Sequence, residues 1–212
     1  FIDAKSTDNT YLKACSFKDK YNNLIVIQND IRKYPIENIK IGTYAAKDNS
    51  ICLNLDGDDW LKDNQVLNKL NKIYTDDVWM TYGTYEEFPY RDVSMYYYPY
   101  PYDVIKNNTF RNYNWLASHL RTYRKELFIK IDDKDMREEN GNYFSMTGDM
   151  AIQFPMLEMS GYHSKHIHDI LYVYNKTNDN SDFNVNINKQ IELERYIRNK
   201  NKYDKLTSLW IY

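Results

Sequence analysis

The chain has 212 residues, 42% hydrophobic and 16% aromatic, enough for one domain with a sizeable core or a domain with a small appendage. Charged residues make up 27% and the formal net charge is −2, so neither nucleic acid nor an acidic membrane surface is an expected partner. No apolar run reaches the length of a membrane span and no signal peptide is legible, so the expected location is cytoplasmic. Because residue 1 is Phe and the chain opens in mid-strand, a missing N-terminus could hide a leader. Cys15 and Cys52 fall in a predicted helix and a predicted strand, which argues against a disulfide framework. The asparagines are scattered through every segment and read as coding bias. Both glycosylation sequons, at Asn107 and Asn175, read as chance in so Asn-rich a chain.

Taken in order, Phe1-Ile2-Asp3 reads as the end of a strand. Ser6, Thr7 or Asp8 then caps a helix through Tyr11, Leu12, Ala14, Cys15 and Phe17. Leu24–Ile27 is a second short strand, and Ile36–Ala46 has helical spacing weakened by Gly42 and Thr43. Next, an apolar run from Ile51 ends in Leu55-Asp56-Gly57-Asp58-Asp59-Trp60. This predicts a buried strand whose C-terminal end is an acidic loop at the rim of a sheet, where open α/β sheets bind ligands. Three crowded carboxylates repel one another unless a cation lies between them. Mg²⁺ or Mn²⁺ suits oxygen ligands and leaves positions free for phosphates. The competing reading is a solvated acidic turn with Gly57 supplying positive φ.

Gln65–Tyr74 carries Val66, Leu67, Leu70, Ile73 and Tyr74 on one stripe, an amphipathic helix, and Val78–Tyr82 is the next strand. Strand and helix alternate without an internal repeat, which predicts a mostly parallel, helix-covered sheet. A parallel partner for Phe1-Ile2-Asp3 would lie one βαβ unit upstream, so a first strand and helix are expected to be missing.

Phe1-Ile2-Asp3-Ala4-Lys5-Ser6-Thr7-Asp8-Asn9-Thr10 resembles the "DDgSTDnT" segment of family 2 glycosyltransferases, and Leu53–Leu61 resembles their "lLDgDDwl" segment. The resemblance runs to about Asn178. It implies an α/β GT-A fold, a Rossmann-like, mixed but mostly parallel sheet flanked by helices. The glycosyltransferase domain would span 1–178, with 179–212 a C-terminal helix and tail packed on it or following it. In the family the acidic motif holds a divalent metal on the diphosphate of a nucleotide-sugar. Asp56, Asp58 and Asp59 would hold the metal and the donor ribose, with Asp58 the foremost metal ligand, and Asp3 would lie near the nucleotide. Ala4 stands where the family commonly has an acid that contacts the base, which puts base recognition in doubt.

Residues 83–114 are irregular and rich in Tyr and Pro, a loop long enough to be functional, and its rings suit sugar faces in an acceptor as well as a hydrophobic flank. Trp115–Arg124 reads as a strand and resembles the "SHLRTF" segment of some members. His119, Arg121 and Tyr123 would share one face. Arg121 is a sensible counter-charge for a diphosphate, unless it pairs with a neighbouring carboxylate. For His119 a hydrogen-bonded structural imidazole is the plainer reading. The charged stretch 132–142 reads as solvated surface.

Thr147-Gly148-Asp149 opens a helix with Ile152, Met156, Leu157 and Met159 as core and Pro155 as a kink. Asp149 is in a capping position, but it also falls where the resemblance places the general base, in a "G-D" or "E-D" pair. His166 and His168 alternate before the strand Ile170–Asn175, and some GT-A enzymes use a His from this region on the metal, which makes His168 a third candidate ligand. Asn178–Asp182 is a polar turn, Val185–Ile197 a final helix, and Leu206–Tyr212 an apolar tail.

The reading is an inverting, Mn²⁺- or Mg²⁺-dependent hexosyltransferase. It takes a nucleotide-sugar donor, UDP-linked by preference, and a glycan or protein-linked hydroxyl as acceptor. The rivals are a non-catalytic nucleotide-sugar or glycan-binding module and a nucleotidyltransferase, for which no Gly-rich or Lys-bearing triphosphate loop is visible.

Overall fold

The computed structural model describes residues 1–90, 92–94, 98–177 and 186–210. Tyr96 and Tyr97 of the tyrosine-rich stretch, the polar turn from Asn178 to Asp182, Val185 and the last two residues of the apolar tail lie outside these.

Three short sheets organise the chain. The strands β1 (Ile2–Asp3) and β2 (Ile27–Gln28) pair in parallel. The second sheet has the order β3-β7-β5-β8, with β3 spanning Ile51–Leu53, β5 Met80–Gly83, β7 Ser118–Arg124 and β8 Ser164–Ile167. The third has the order β4-β9-β6, with β4 spanning Trp60–Leu61, β6 Glu86–Phe88 and β9 Tyr172–Asn175. β7 runs antiparallel to both β3 and β5, β4 antiparallel to β9, and the β5–β8 and β6–β9 pairs are parallel. The architecture is α/β with mixed sheets flanked by helices. The predicted buried strand before the acidic loop is instead β3, a three-residue edge strand whose first residue, Ile51, is exposed. Its apolar character serves both faces, Cys52 packing against the main core and Leu53 against a second, smaller one.

The helices follow from local chemistry. Pro35 opens α2 (Pro35–Ala45), and the Glu37 carboxylate reaches back to accept from the Tyr34 amide at 3.0 Å. Asp63 accepts from the Gln65 amide at 2.7 Å just before α3 (Val66–Ile73), which buries Val66 and Leu70. The helix α1 (Thr10–Cys15) buries no residue. Short helices α4 (Tyr102–Asn107) and α5 (Lys125–Phe128) flank β7 in sequence.

The helix α6 (Gly148–Ser160) is the opposite of α1. Every residue from Met150 to Ser160 is buried, so it runs through the core, apolar but for Gln153, Glu158 and Ser160. It ends at Gly161, whose φ of +52° is left-handed and suits a residue without Cβ. The main core gathers α6 with Ile36, Met80, Tyr82, Phe110, Tyr123 and Phe128. The final helix α7 (Ile187–Asn199) contributes Leu193 and Ile197 to the same core. A buried ion pair ties these parts together: Arg111 donates to both Glu158 oxygens, at 2.6 and 2.9 Å, and to the Ile197 carbonyl at 2.6 Å. A second, smaller core of Val66, Leu70, Leu120, Ile167, Leu171 and Tyr172 lies where β7 and β8 approach β9. Among the described residues no helix is long and apolar enough to cross a membrane.

Candidate active site

The acidic loop spans residues 54–59 and bridges two sheets, leaving β3 and entering β4. At its start the Asn54 amide donates to the Arg121 carbonyl at 3.4 Å, and the Tyr123 hydroxyl donates to Asn54 Oδ1 at 3.1 Å. At its end Asp59 is tied to β9: Tyr172 donates to Oδ2 at 2.6 Å and the Asn175 amide donates to Oδ1 at 2.7 Å. Asp59 therefore has both carboxylate oxygens engaged within the protein. Asp56 and Asp58 lie in the exposed part of the loop.

The electrostatics are those of crowded anions. Desolvation raises the Asp56 pKa, Arg121 opposes the rise, and Asp58 and Asp149 add to it. Asp59 is pushed up to about 6, first by desolvation and then by its two acidic neighbours, against hydrogen bonds from Asn175 and Tyr172. A cation placed at this loop would relieve that repulsion.

Asp149 sits in the first turn of α6 and is reached from β7 by Arg121, the residue whose carbonyl accepts from the Asn54 amide at the start of the acidic loop. The link is Arg121, half-way along β7. Its Nη2 donates to Asp149 Oδ2 at 2.8 Å, its Nε donates to the Ala117 carbonyl at 3.1 Å, and its charge reaches Asp56. Asp149 Oδ1 accepts from the Met150 amide at 2.9 Å. Arg121 thus pairs with a carboxylate, as the plainer sequence reading had it, but that carboxylate is the candidate base. The start of α6 is set by a close approach. A Cβ on Gly148 would meet the Ile36 Cβ at 2.9 Å, so only glycine lets this turn seat against α2.

His119 is buried and stacks on Tyr172 with ring centroids 4.4 Å apart, 3.5 Å from Arg121 Nη2. Burial first, and Arg121 second, hold its pKa well below the usual imidazole value, so it is a neutral packing group. The expected shared face of β7 is partly realised: Tyr123 turns to Asn54 and to Thr43 Oγ1 at 2.9 Å, while His119 and Arg121 face the site.

Asp3 is buried and held by its own turn: Ser6 donates through its amide and its hydroxyl, and Gln28 Nε2 donates at 3.0 Å. Burial works against the charge, but these hydrogen bonds outweigh it and lower the Asp3 pKa. His168 follows β8, its ring 4.6 Å from that of His166. Among the described residues no three His, Cys, Asp or Glu side chains form a group able to hold a metal, so Asp56, Asp58 and His168 are not gathered into one. Two neighbouring loop carboxylates nevertheless suit Mg²⁺ or Mn²⁺, which are commonly bound through one or two carboxylates plus substrate phosphates. The donor set fits a cation shared with a diphosphate rather than one caged by protein.

In the tyrosine-rich stretch, Tyr100 turns inward: it is buried, its amide donates to the Tyr82 hydroxyl at 3.0 Å and its own hydroxyl accepts from the Leu116 amide at 3.1 Å. Tyr90, Tyr98 and Tyr102 are exposed. Tyr172 is the site residue that sequence reading missed; only its place on a strand following His-rich sequence was visible.

The chain belongs to glycosyl transferase family 2, whose profile matches residues 1–132. The particular folds it resembles are those of S. aureus TarS. The structure of TarS 1–349 in complex with UDP-GlcNAc is 18% identical, covers 92% of this chain and 55% of its own, and superposes with a TM-score of 0.61. The complex of TarS 1–349 with UDP is 17% identical, covers 82% of this chain and 49% of its own, with a TM-score of 0.56. The chain spans about half the length of these structures. No curated protein matches it.

Proposed function

We propose that this glycosyltransferase moves a hexose, with inversion, from a UDP-sugar to a hydroxyl on a glycan or protein-linked acceptor, with Asp149 as general base. The observation that carries the reading is the Arg121 bridge: its guanidinium touches Asp149 at 2.8 Å while its carbonyl accepts from the Asn54 amide where the acidic loop begins. A proton acceptor and an anion-crowded loop at the same place are what direct displacement needs. The TarS complexes with UDP and with UDP-GlcNAc support a UDP-sugar as donor.

Asp58 and Asp56 would hold Mn²⁺ or Mg²⁺ against the diphosphate, with Asp59 anchoring the loop beside the donor ribose. When bound, the cation offsets charge building on the departing nucleoside diphosphate. Asp3 would lie near the nucleotide. Arg121 orients Asp149 and offers its remaining donors to diphosphate oxygens. Asp149 keeps lone pairs beyond those given to Arg121 and Met150. It takes the acceptor hydroxyl's proton as the new C–O bond forms and the bond from the anomeric carbon to the diphosphate oxygen breaks. One displacement gives inversion, and no protein nucleophile is needed.

The test is UDP release from a panel of UDP-sugars with and without Mn²⁺, for the wild-type chain and Asp149→Asn. Release that requires a UDP-sugar, the metal and Asp149 is the expected result. Release of pyrophosphate would instead mark a nucleotidyltransferase. Binding without turnover would mark a nucleotide-sugar-binding module, the reading that Ala4 favours.

A further inference from the structure

Tyr172 occupies the middle of the second core, fully buried on β9, and packs its ring flat against His119. Its hydroxyl emerges beneath the acidic loop. There it donates to Asp59 Oδ2 at 2.6 Å, lies 3.4 Å from Asp56 Oδ2, and receives the Asp56 amide at 3.4 Å. The next contact along the same strand, from the Asn175 amide to Asp59 Oδ1, closes a second tie 2.7 Å long. The loop's other end hangs from β7 through Asn54. Residues 54–59 therefore cross between two separate sheets; their far end runs into β4, whose backbone pairs with β9, and within the loop itself it is Asp59 that adds the Tyr172 phenol and the Asn175 amide to that anchorage.

We propose that Tyr172 is a positioning residue for the donor site: through Asp59, its hydroxyl fixes the acidic loop so that Asp56 and Asp58 face the cation-bound diphosphate together. The inference rests on the reading of this chain as a UDP-sugar-dependent transferase. It assigns Tyr172 no contact with substrate.

Phenylalanine at this position keeps the ring, its burial and its stack on His119, and removes only the hydroxyl. Wild-type chain, Tyr172→Phe, Asp59→Asn and the double variant are compared by calorimetric binding of UDP with Mn²⁺, by hydrogen exchange over residues 54–61, and by steady-state turnover. In Tyr172→Phe the Mn²⁺-dependent UDP affinity falls about tenfold, the scale of one lost charge-assisted hydrogen bond. The donor KM rises in step, the acceptor KM holds, and exchange speeds up in the loop but not in α6. The double variant is no weaker than the worse single variant, because both break the same tie. UDP affinity and donor KM within twofold of wild type in a folded Tyr172→Phe overturn the proposal, as do additive losses in the double variant. Should Tyr172→Phe fail to fold, Asp59→Asn decides on the same readouts. If the wild-type chain binds no UDP, the donor reading itself falls and takes this inference with it.

Discussion

Two regions of the molecule are built to different standards. On one side, β7 is buried at every position but Arg121, and α6 is buried from Met150 to Ser160. On the other, α1 buries nothing, and Leu12, Ile25 and Ile31 are 65%, 64% and 68% exposed. Asp149 inherits its position from a packed core, in which a displaced helix would cost many contacts at once. Asp3 inherits its position from a turn, through Ser6 and Gln28. The carboxylate proposed to take the acceptor's proton is on the stiff side. The carboxylate expected near a nucleotide is on the lightly packed side.

The sharpest way to break this comparison is at Asp149. Asp149→Asn keeps the shape and removes the base, so kcat falls by about 10² to 10⁴-fold while UDP affinity is retained. Calorimetry beside a UDP-release assay reads both, and loss of binding together with rate would put Asp149 on the donor instead. Next comes the core's own lock. Arg111→Met leaves Glu158 buried without its guanidinium and costs about 3–5 kcal/mol in denaturant unfolding. A loss well under that range would mean the α6 side is less tightly held than its burial suggests.

A smaller effect is expected at Asp133. Desolvation pushes its carboxyl up, but hydrogen bonds from Lys40, Tyr143 and Arg137 win and hold it below the ordinary aspartate value of 3.8. A lowered folded-state pKa contributes stability above the unfolded-state value and loses it as pH falls below that value. The pair is partly exposed, so the contribution is under about 1 kcal/mol. Unfolding curves for Asp133→Asn and wild type should differ near pH 6 and converge towards pH 2. Smallest of all, Leu12→Ser on α1 should change stability by no more than about 0.5 kcal/mol, because that side chain is mostly exposed. A loss of several kcal/mol would show that α1 is held far more firmly than its exposure indicates.

What was legible in the sequence was local. Asp56-Gly57-Asp58-Asp59 announces itself because a loop, its glycine and its acids are contiguous, and Gly148-Asp149 because a helix start has its own chemistry. The amphipathic stripe of α3 and the apolar length of α6 are periodic and so readable. The ties across the fold are not. Tyr172 to Asp59 and Arg111 to Glu158 join residues 113 and 47 positions apart, and nothing near Tyr172 or Arg111 in the chain names its partner. Tyr100 shows the same limit: in a run of tyrosines it looked like its neighbours, yet Tyr82 and Phe110 take it into the core. The shortness of β3 was not legible because an apolar run does not say whether its strand will lie inside a sheet or at its edge.

The approach of Gly148 to Ile36 constrains how this site can diverge. Any side chain at position 148 would collide with the isoleucine on α2, so that residue and its opposite number have to change in concert. A homologue with glutamate ahead of the aspartate should carry glycine where this chain has Ile36, or seat α2 further away. What can stand ahead of Asp149 is thereby decided by a helix far from it in the chain.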